Sequence, residues 1–176
     1  MRKRRSRARS KAPEVNGVKP IKLDETDRLI LSMLQEDARV SNADIARRAG
    51  MVPSGILARL QRLRKNKVIV SYETRLDSRA IGLGLTAFVF VRAKEVSGRP
   101  DTAKRLGGIP EVQEVHNITG EDCYLLKIRV RNTQELGRIL RDDVGTIPSV
   151  ISTKTTVVLD TFKETTAVPI PKMQGR

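Results

Sequence analysis

Residues 41–65 read SNADIARRAGMVPSGILARLQRLRK, and this stretch decides the fold of the first half of the chain. Ser41 suits a helix N-cap, because its hydroxyl can accept from a backbone N–H that has no partner in the first turn, and Asp44 completes an S-x-x-D capping pattern. Ile45, Ala46 and Ala49 recur at helical spacing and mark an inward face. Gly50 suits the left-handed residue that stops a helix. Met51 and Val52 follow, and Pro53 fits the first turn of a new helix. There Ile56, Leu57, Leu60 and Leu63 form the expected buried stripe. The opposite side holds Ser54, Gly55, Ala58, Arg62 and Lys65, with Arg59 and Gln61 on the flanks. A short capped helix, a tight Gly-containing turn and a second, basic helix describe a helix-turn-helix.

The pattern extends outward on both sides. Upstream, Leu29, Ile30, Met33 and Leu34 mark one face of a helix that ends near Asp37, with Asp24, Glu25 and Asp27 in its first turn, where the helix dipole favours acids. Downstream, Val68, Ile69 and Val70 predict a strand leading into a wing. Residues 21–76 therefore read as a winged helix-turn-helix domain. An α-helix fills the major groove of B-DNA with its N-terminal residues at the base edges. Small residues at Ser54, Gly55 and Ala58 allow close approach. Arg59, Arg62 and Lys65 reach guanine edges or phosphates, and Arg47 and Arg48 on the preceding helix hold the backbone. Arg62 is favoured for base contact and Arg59 is lateral. A leucine-striped helix with arginines outside is also what a plain surface helix looks like. The capped partner helix, the turn and the charge of the chain decide for DNA.

That charge is +14, from 34 basic and 20 acidic residues, and it favours polyanionic partners. Residues 1–20 contribute half of it, with eight Lys/Arg against one Glu. They show no apolar period and read as a disordered basic arm, for added phosphate contact or simply for solubility. No apolar run approaches the roughly 20 residues of a membrane span, and no apolar stretch follows the basic start as in a signal peptide. The single cysteine cannot form an internal disulfide, which fits a reducing cytoplasm. A cytoplasmic, nucleoid-associated protein is expected.

The second half has another rhythm. Residues 77–84, DSRAIGLG, read as a linker. A strand over Leu85–Ala93 precedes a helix over Pro100–Leu106, strands over Val112–Ile118 and Tyr124–Val130 flank a turn at Gly120–Cys123, a helix runs from Asn132 or Thr133 to about Val144, and a last strand spans Ser152–Leu159. The order βαββαβ over residues 85–160 is that of a ferredoxin-like sandwich, so the fold class is α+β. Residues 161–176 read as a tail, either packed on a partner subunit or disordered. The GEDCY segment at 120–124 taken alone reads as an ordinary hairpin.

Catalysis finds little support. His116 reads as structural, Cys123 has no neighbouring base, and no His/Cys cluster has metal spacing. The carboxylate pairs Glu121–Asp122 and Asp142–Asp143 read as solvated, and no phosphate-loop, dinucleotide or nucleophile-elbow pattern is present. The expectation is a protein that is not an enzyme and has no cofactor. An enzyme or ligand carrier built on the βαββαβ domain is the weakest alternative, because that fold hosts many functions.

Four segments in order, LDETDRLILSMLQEDARVSNADIARRAGM at 23–51, VPSGILARLQRLRKNKVI at 52–69, GEDCYLLKIRV at 120–130 and VISTKTTVVLDTFKETT at 150–166, resemble the Lrp/AsnC family of bacterial and archaeal transcription regulators. The resemblance covers roughly residues 22–166. It implies a winged helix-turn-helix followed by a βαββαβ domain that pairs subunits through its sheets into homodimers and builds octamers or other higher assemblies. It further implies an amino acid bound between subunits, which shifts assembly or DNA affinity, and target genes in amino-acid metabolism. Carried onto this chain, the effector pocket involves Gly120, Glu121, Asp122, Thr153 and Thr155, with Asp142 as a neighbour. Backbone N–H groups at the glycine turn would hold a carboxylate and Asp122 an ammonium. The chain departs from the family at Val52, where Ser is common at the cap and Ser54 is expected to take part of that role, and at Cys123, where a polar residue is common. The alternative to a regulator is an architectural, weakly specific DNA-packaging protein without an effector.

Overall fold

The computed structural model describes residues 21–94 and 101–171. The basic arm at 1–20, Pro100 and the last five residues lie outside the described residues. Among the described residues, 21–74 together with 166–171 form one compact unit, and those of 75–165 form a second.

The first unit holds α1 (Glu25–Glu36), α2 (Asn42–Ala49) and α3 (Pro53–Lys65). Each helix starts where local chemistry dictates. Asp24 caps α1 in a reciprocal capping box: its carboxylate accepts from the Asp27 amide, and the Asp27 carboxylate accepts from the Asp24 amide. Ser41 caps α2, accepting from the Asp44 amide at 3.1 Å. Gly50 ends α2 at φ 64°, and its N–H bonds back to Ala46 and Arg47, so the turn to α3 rests on the residue type that adopts this conformation without strain. Val52 caps α3 without a side-chain hydrogen bond. Ser54 does not take over: its hydroxyl has no partner among the described residues. Pro53, with no N–H, removes one of the donors a cap would satisfy. Ile30, Ile45, Ala46, Ile56, Leu60 and Leu63 form the core between the three helices.

Two expectations for this unit fail. Leu57 is not in the buried stripe; it is 47% exposed, because one residue after Ile56 the helix has turned by about 100°. Val68–Val70 is not a strand. Lys67 takes a left-handed φ of 54°, the Val68 amide returns to the Leu63 carbonyl at 2.9 Å, and Val68 and Ile69 pack on the helical core while Val70 stands 87% exposed. Without a partner strand a β-run has no ladder to join.

The second unit is the expected α+β sandwich. β1 (Leu85–Ala93), α4 (Asp101–Gly107), β2 (Val112–Asn117), β3 (Tyr124–Val130), α5 (Thr133–Arg138, running on as π-helical turns over Ile139–Val144) and β4 (Val150–Val157) follow in order. The strands lie side by side as β2-β3-β1-β4, every pair antiparallel. Alternation assigns the faces. Ala87, Val89 and Val91 of β1 stand opposite Ile128, Leu126 and Tyr124 of β3, and this row joins Leu106, Leu136, Ile139 and Val144 from the helical layer in one core. The other face carries Thr86, Phe88, Phe90, Leu125, Lys127 and Arg129, all half-buried.

The C-terminal residues after β4 are anchored twice. In the second unit the Glu164 carboxylate accepts from Lys127 Nζ at 2.5 Å and from Arg129 Nη2 at 2.6 Å. Arg129 also donates to Ser78 and Gln113. In the first unit the Gln35 amide brackets Val168, accepting from its N–H at 2.7 Å and donating to its carbonyl at 3.1 Å, and Arg28 Nε donates to the Pro171 carbonyl. Segment 161–171 is therefore not a free tail.

The Lys127 and Arg129 cations hold Glu164 down to about 2, from an ordinary 4.5. A depressed carboxylate stabilises the fold above its unfolded value, and this contribution is lost as pH falls from about 4.5 toward 2. Glu164→Gln is expected to lower Tm at neutral pH, and the gap to the parent should close over that window. A gap that does not change with pH in a thermal-melt series would mean that the contact is not ionic.

Candidate nucleic-acid interface

The outward side of α3 follows from its wheel. With Ile56, Leu60 and Leu63 buried, Ser54, Leu57, Ala58, Gln61, Arg62 and Lys65 are exposed. Arg47 and Arg48 are exposed at the end of α2, where Arg47 pairs with Asp44 at 3.0 Å on the same helix. Gly55 is half-buried, and a Cβ there would lie 3.0 Å from the end of the Met51 side chain; its lack of a side chain makes room for Met51 within the turn.

Arg59 and Arg62 are occupied. Arg59 Nη1 lies 2.6 Å from Asp24 Oδ2 and 3.0 Å from Asp27 Oδ1, and Arg62 Nη2 lies 2.5 Å from Asp27 Oδ2. Asp27 is 1% exposed, against 27% for Arg59 and 45% for Arg62. One buried carboxylate thus accepts from two guanidinium groups and from the α1 cap amide. These two arginines compensate its charge. The Arg59 guanidinium, with the Asp27 amide, holds the Asp24 carboxyl below the usual carboxylate range, and Asp24 in turn raises Arg59. The acids of α1 were legible only as helix-start residues. The D-x-x-D spacing at 24–27 carried the capping box, but nothing local announced arginine partners more than thirty positions away.

The residues expected to hold an effector lie in the second unit. Gly120 sits in the β2–β3 connection at φ 120°, where an L side chain is strained. Glu121 is exposed, Asp122 is half-buried, and Cys123 donates its thiol to the Ala93 carbonyl at 3.1 Å. Thr153 and Thr155 are exposed on edge strand β4. Val91 pairs with Tyr124 on one side and Thr153 on the other, so the end of the turn and Thr153 share one row of the sheet, two strand spacings or about 10 Å apart. Asp142 lies elsewhere. It lines a cleft of about 460 Å³ with Arg105, Glu111, Arg138 and Asp143, and none of the other five residues lines it. His116 and Lys127 both pair with Glu114, which lowers that carboxyl. No group of three or more His, Cys, Asp or Glu residues suited to a metal occurs among the described residues.

Comparison with known proteins accounts for both units. Residues 23–70 match a winged helix-turn-helix DNA-binding model, and residues 86–168 match the Lrp/AsnC ligand binding domain. The HTH-type transcriptional regulator FL11 of Pyrococcus horikoshii is 37% identical over 151 residues, covering 85% of this chain and 98% of that protein. The chain belongs to the Lrp/AsnC family of transcription regulators. AzlB, a transcriptional regulator of Bacillus subtilis, is 32% identical over 87% of this Lrp/AsnC regulator and 99% of its own length. Among solved structures, a Neisseria meningitidis transcriptional regulator in complex with L-Met superposes with a TM-score of 0.79 at 31% identity, over 84% of this chain and 97% of that one. AsnC of E. coli superposes with a TM-score of 0.78 at 26% identity, over 85% and 100%. The matched regions divide this Lrp/AsnC regulator as its chemistry does. α1–α3 fall in the DNA-binding match, while the Gly120 turn, β4 and Glu164 fall in the ligand-binding match. No helix of the described residues is long and apolar enough to cross a membrane.

Proposed function

We propose that this regulator binds specific duplex sequences through α3 and that an amino acid bound in the second unit controls that binding. The observation that carries the reading is the outward side of α3, where Ser54 and Ala58 are small and exposed and Lys65 stands beyond them. Small residues bring the helix axis close to the base edges, and Lys65, Arg47 and Arg48 supply phosphate contacts. Two copies joined through the half-buried sheet face around Phe88, Phe90 and Leu125 would present two such helices to half-sites about 10–10.5 bp apart or at multiples of that spacing. Octamers or other higher assemblies would add avidity. The protein would act in the cytoplasm at the nucleoid, on genes of amino-acid metabolism.

The effector is an α-amino acid, a reading supported by the ligand-binding match and by the L-Met complex of the Neisseria relative. Backbone N–H groups around Gly120 would take its carboxylate, Asp122 its ammonium, and Thr153 and Thr155 from a neighbouring subunit would orient it. Glu121 borders this site, and Asp142 faces the separate cleft.

Footprinting on upstream DNA with each of the twenty amino acids tests both halves. The expected result is phased protection over a pseudo-palindrome that one amino acid alters, with a rise in Tm for that ligand alone. Asp122→Ala should abolish the Tm rise while leaving the footprint in place. Protection indifferent to every amino acid rejects the effector. Equal affinity for the protected site and random duplex rejects the specific regulator in favour of a DNA-packaging protein.

A further inference from the structure

We infer that Gln61 and Leu57, not Arg59 and Arg62, are the side chains of α3 that read base identity, and that they read an A·T-containing step. The inference rests on α3 being the DNA-reading helix. On that helix, basic side chains are the obvious readers, since arginine pairs bidentately with guanine. Two of them are committed to α1. Asp27, 1% exposed, holds Arg62 at 2.5 Å and Arg59 at 3.0 Å, and Arg59 is held a second time by Asp24 at 2.6 Å. Turning either guanidinium toward DNA would leave a buried carboxylate short of a cationic partner. Arg64 is turned aside, its guanidinium 5.9 Å from the centre of the Tyr72 ring.

Gln61 has none of these ties. It is exposed and has no hydrogen-bond partner among the described residues. It lies three residues after Ala58 and seven after Ser54, so all three share one side of the helix. Its planar amide offers one donor and one acceptor side by side, the pattern that matches N6 and N7 of adenine in the major groove. Leu57 stands one turn before it and is 47% exposed, an apolar side chain on the outward side of the helix. An outward aliphatic group finds a partner in the thymine methyl. One helical turn rises about 5.4 Å against about 3.4 Å per base step, so the two side chains meet bases one or two steps apart. Lys65, one turn beyond Gln61, is a cation without a partner among the described residues and is placed for phosphate.

The experiment is selection of binding sites from a randomised duplex library by the full chain and by Gln61→Ala, Leu57→Ala and Arg62→Ala, with melting curves for each. The parent should select a site containing A·T pairs. Gln61→Ala should lose discrimination at one adenine by roughly tenfold or more, and Leu57→Ala at a thymine one or two steps away. Arg62→Ala should melt earlier yet select the parent site. Gln61 and Leu57 lie outside the core, so their result does not depend on Arg62→Ala folding. A Gln61→Ala variant that selects the parent site unchanged overturns the inference while leaving α3 as the DNA helix. A parent that selects nothing overturns both.

Discussion

Replacing Arg59 and Arg62 together by alanine should destabilise the DNA-binding unit by about 3–5 kcal/mol, the range for leaving a buried charge unpaired. The exposed ends of the arginines contribute little by themselves, as surface ion pairs do. The cost arises at Asp27, which is buried and would keep only the cap amide of Asp24. Chemical denaturation followed by circular dichroism, with amide exchange reporting on α1 and α3, measures the loss. Adding Asp27→Leu to the double variant should recover much of it, because removing both signs of a buried cluster is close to neutral while removing one is not. A double variant that keeps its stability but loses DNA affinity would show that the two arginines serve DNA and not the fold.

The second large effect concerns assembly. Phe90→Asp places a carboxylate amid Phe88 and Leu125 on the sheet face opposite the helices. The single chain leaves this row half-buried, so the substituted side chain can stay hydrated and the fold survive. A second sheet packed on the face would remove that water, at several kcal/mol for an unpaired charge. Sedimentation should therefore show monomers where the parent is a dimer or larger. Affinity for a duplex carrying two half-sites should fall by about 10²–10⁴, while a single half-site is bound as before. An unchanged sedimentation profile would move the subunit contact to another face, and edge strand β4, exposed along Ile151–Val157, would be the next to test.

Much of the architecture was written in local patterns. Ser41 with Asp44, Gly50 and Pro53 fixed three helix boundaries, because caps and backbone preferences act within a few residues. The strands expected over Leu85–Ala93 and Tyr124–Val130 are observed with those bounds, and the structure assigns their buried faces. Periodicity was less useful at the rims. Leu57 has the residue type of the core stripe but an outward position. Val68–Val70 has strand composition, yet its first two residues are drawn back onto the helical core by the turn at Lys67.

By itself the sequence determined the two-part organisation, the helix-turn-helix, the order βαββαβ and the Lrp/AsnC resemblance, since each rests on neighbours in the chain or on motif order. Only the tertiary structure decided which charges are free to act. Arg62 and Asp27 are 35 positions apart, Lys127 and Glu164 are 37 apart, and Gln35 and Val168 are 133 apart. The two charged pairs form because burial makes an unpaired charge costly, while the exposed Gln35–Val168 pair only needs the packed chain to bring its partners together. The same arginine reads as a DNA contact from its place on a helical wheel and as a clamp once the carboxylate beneath it is seen.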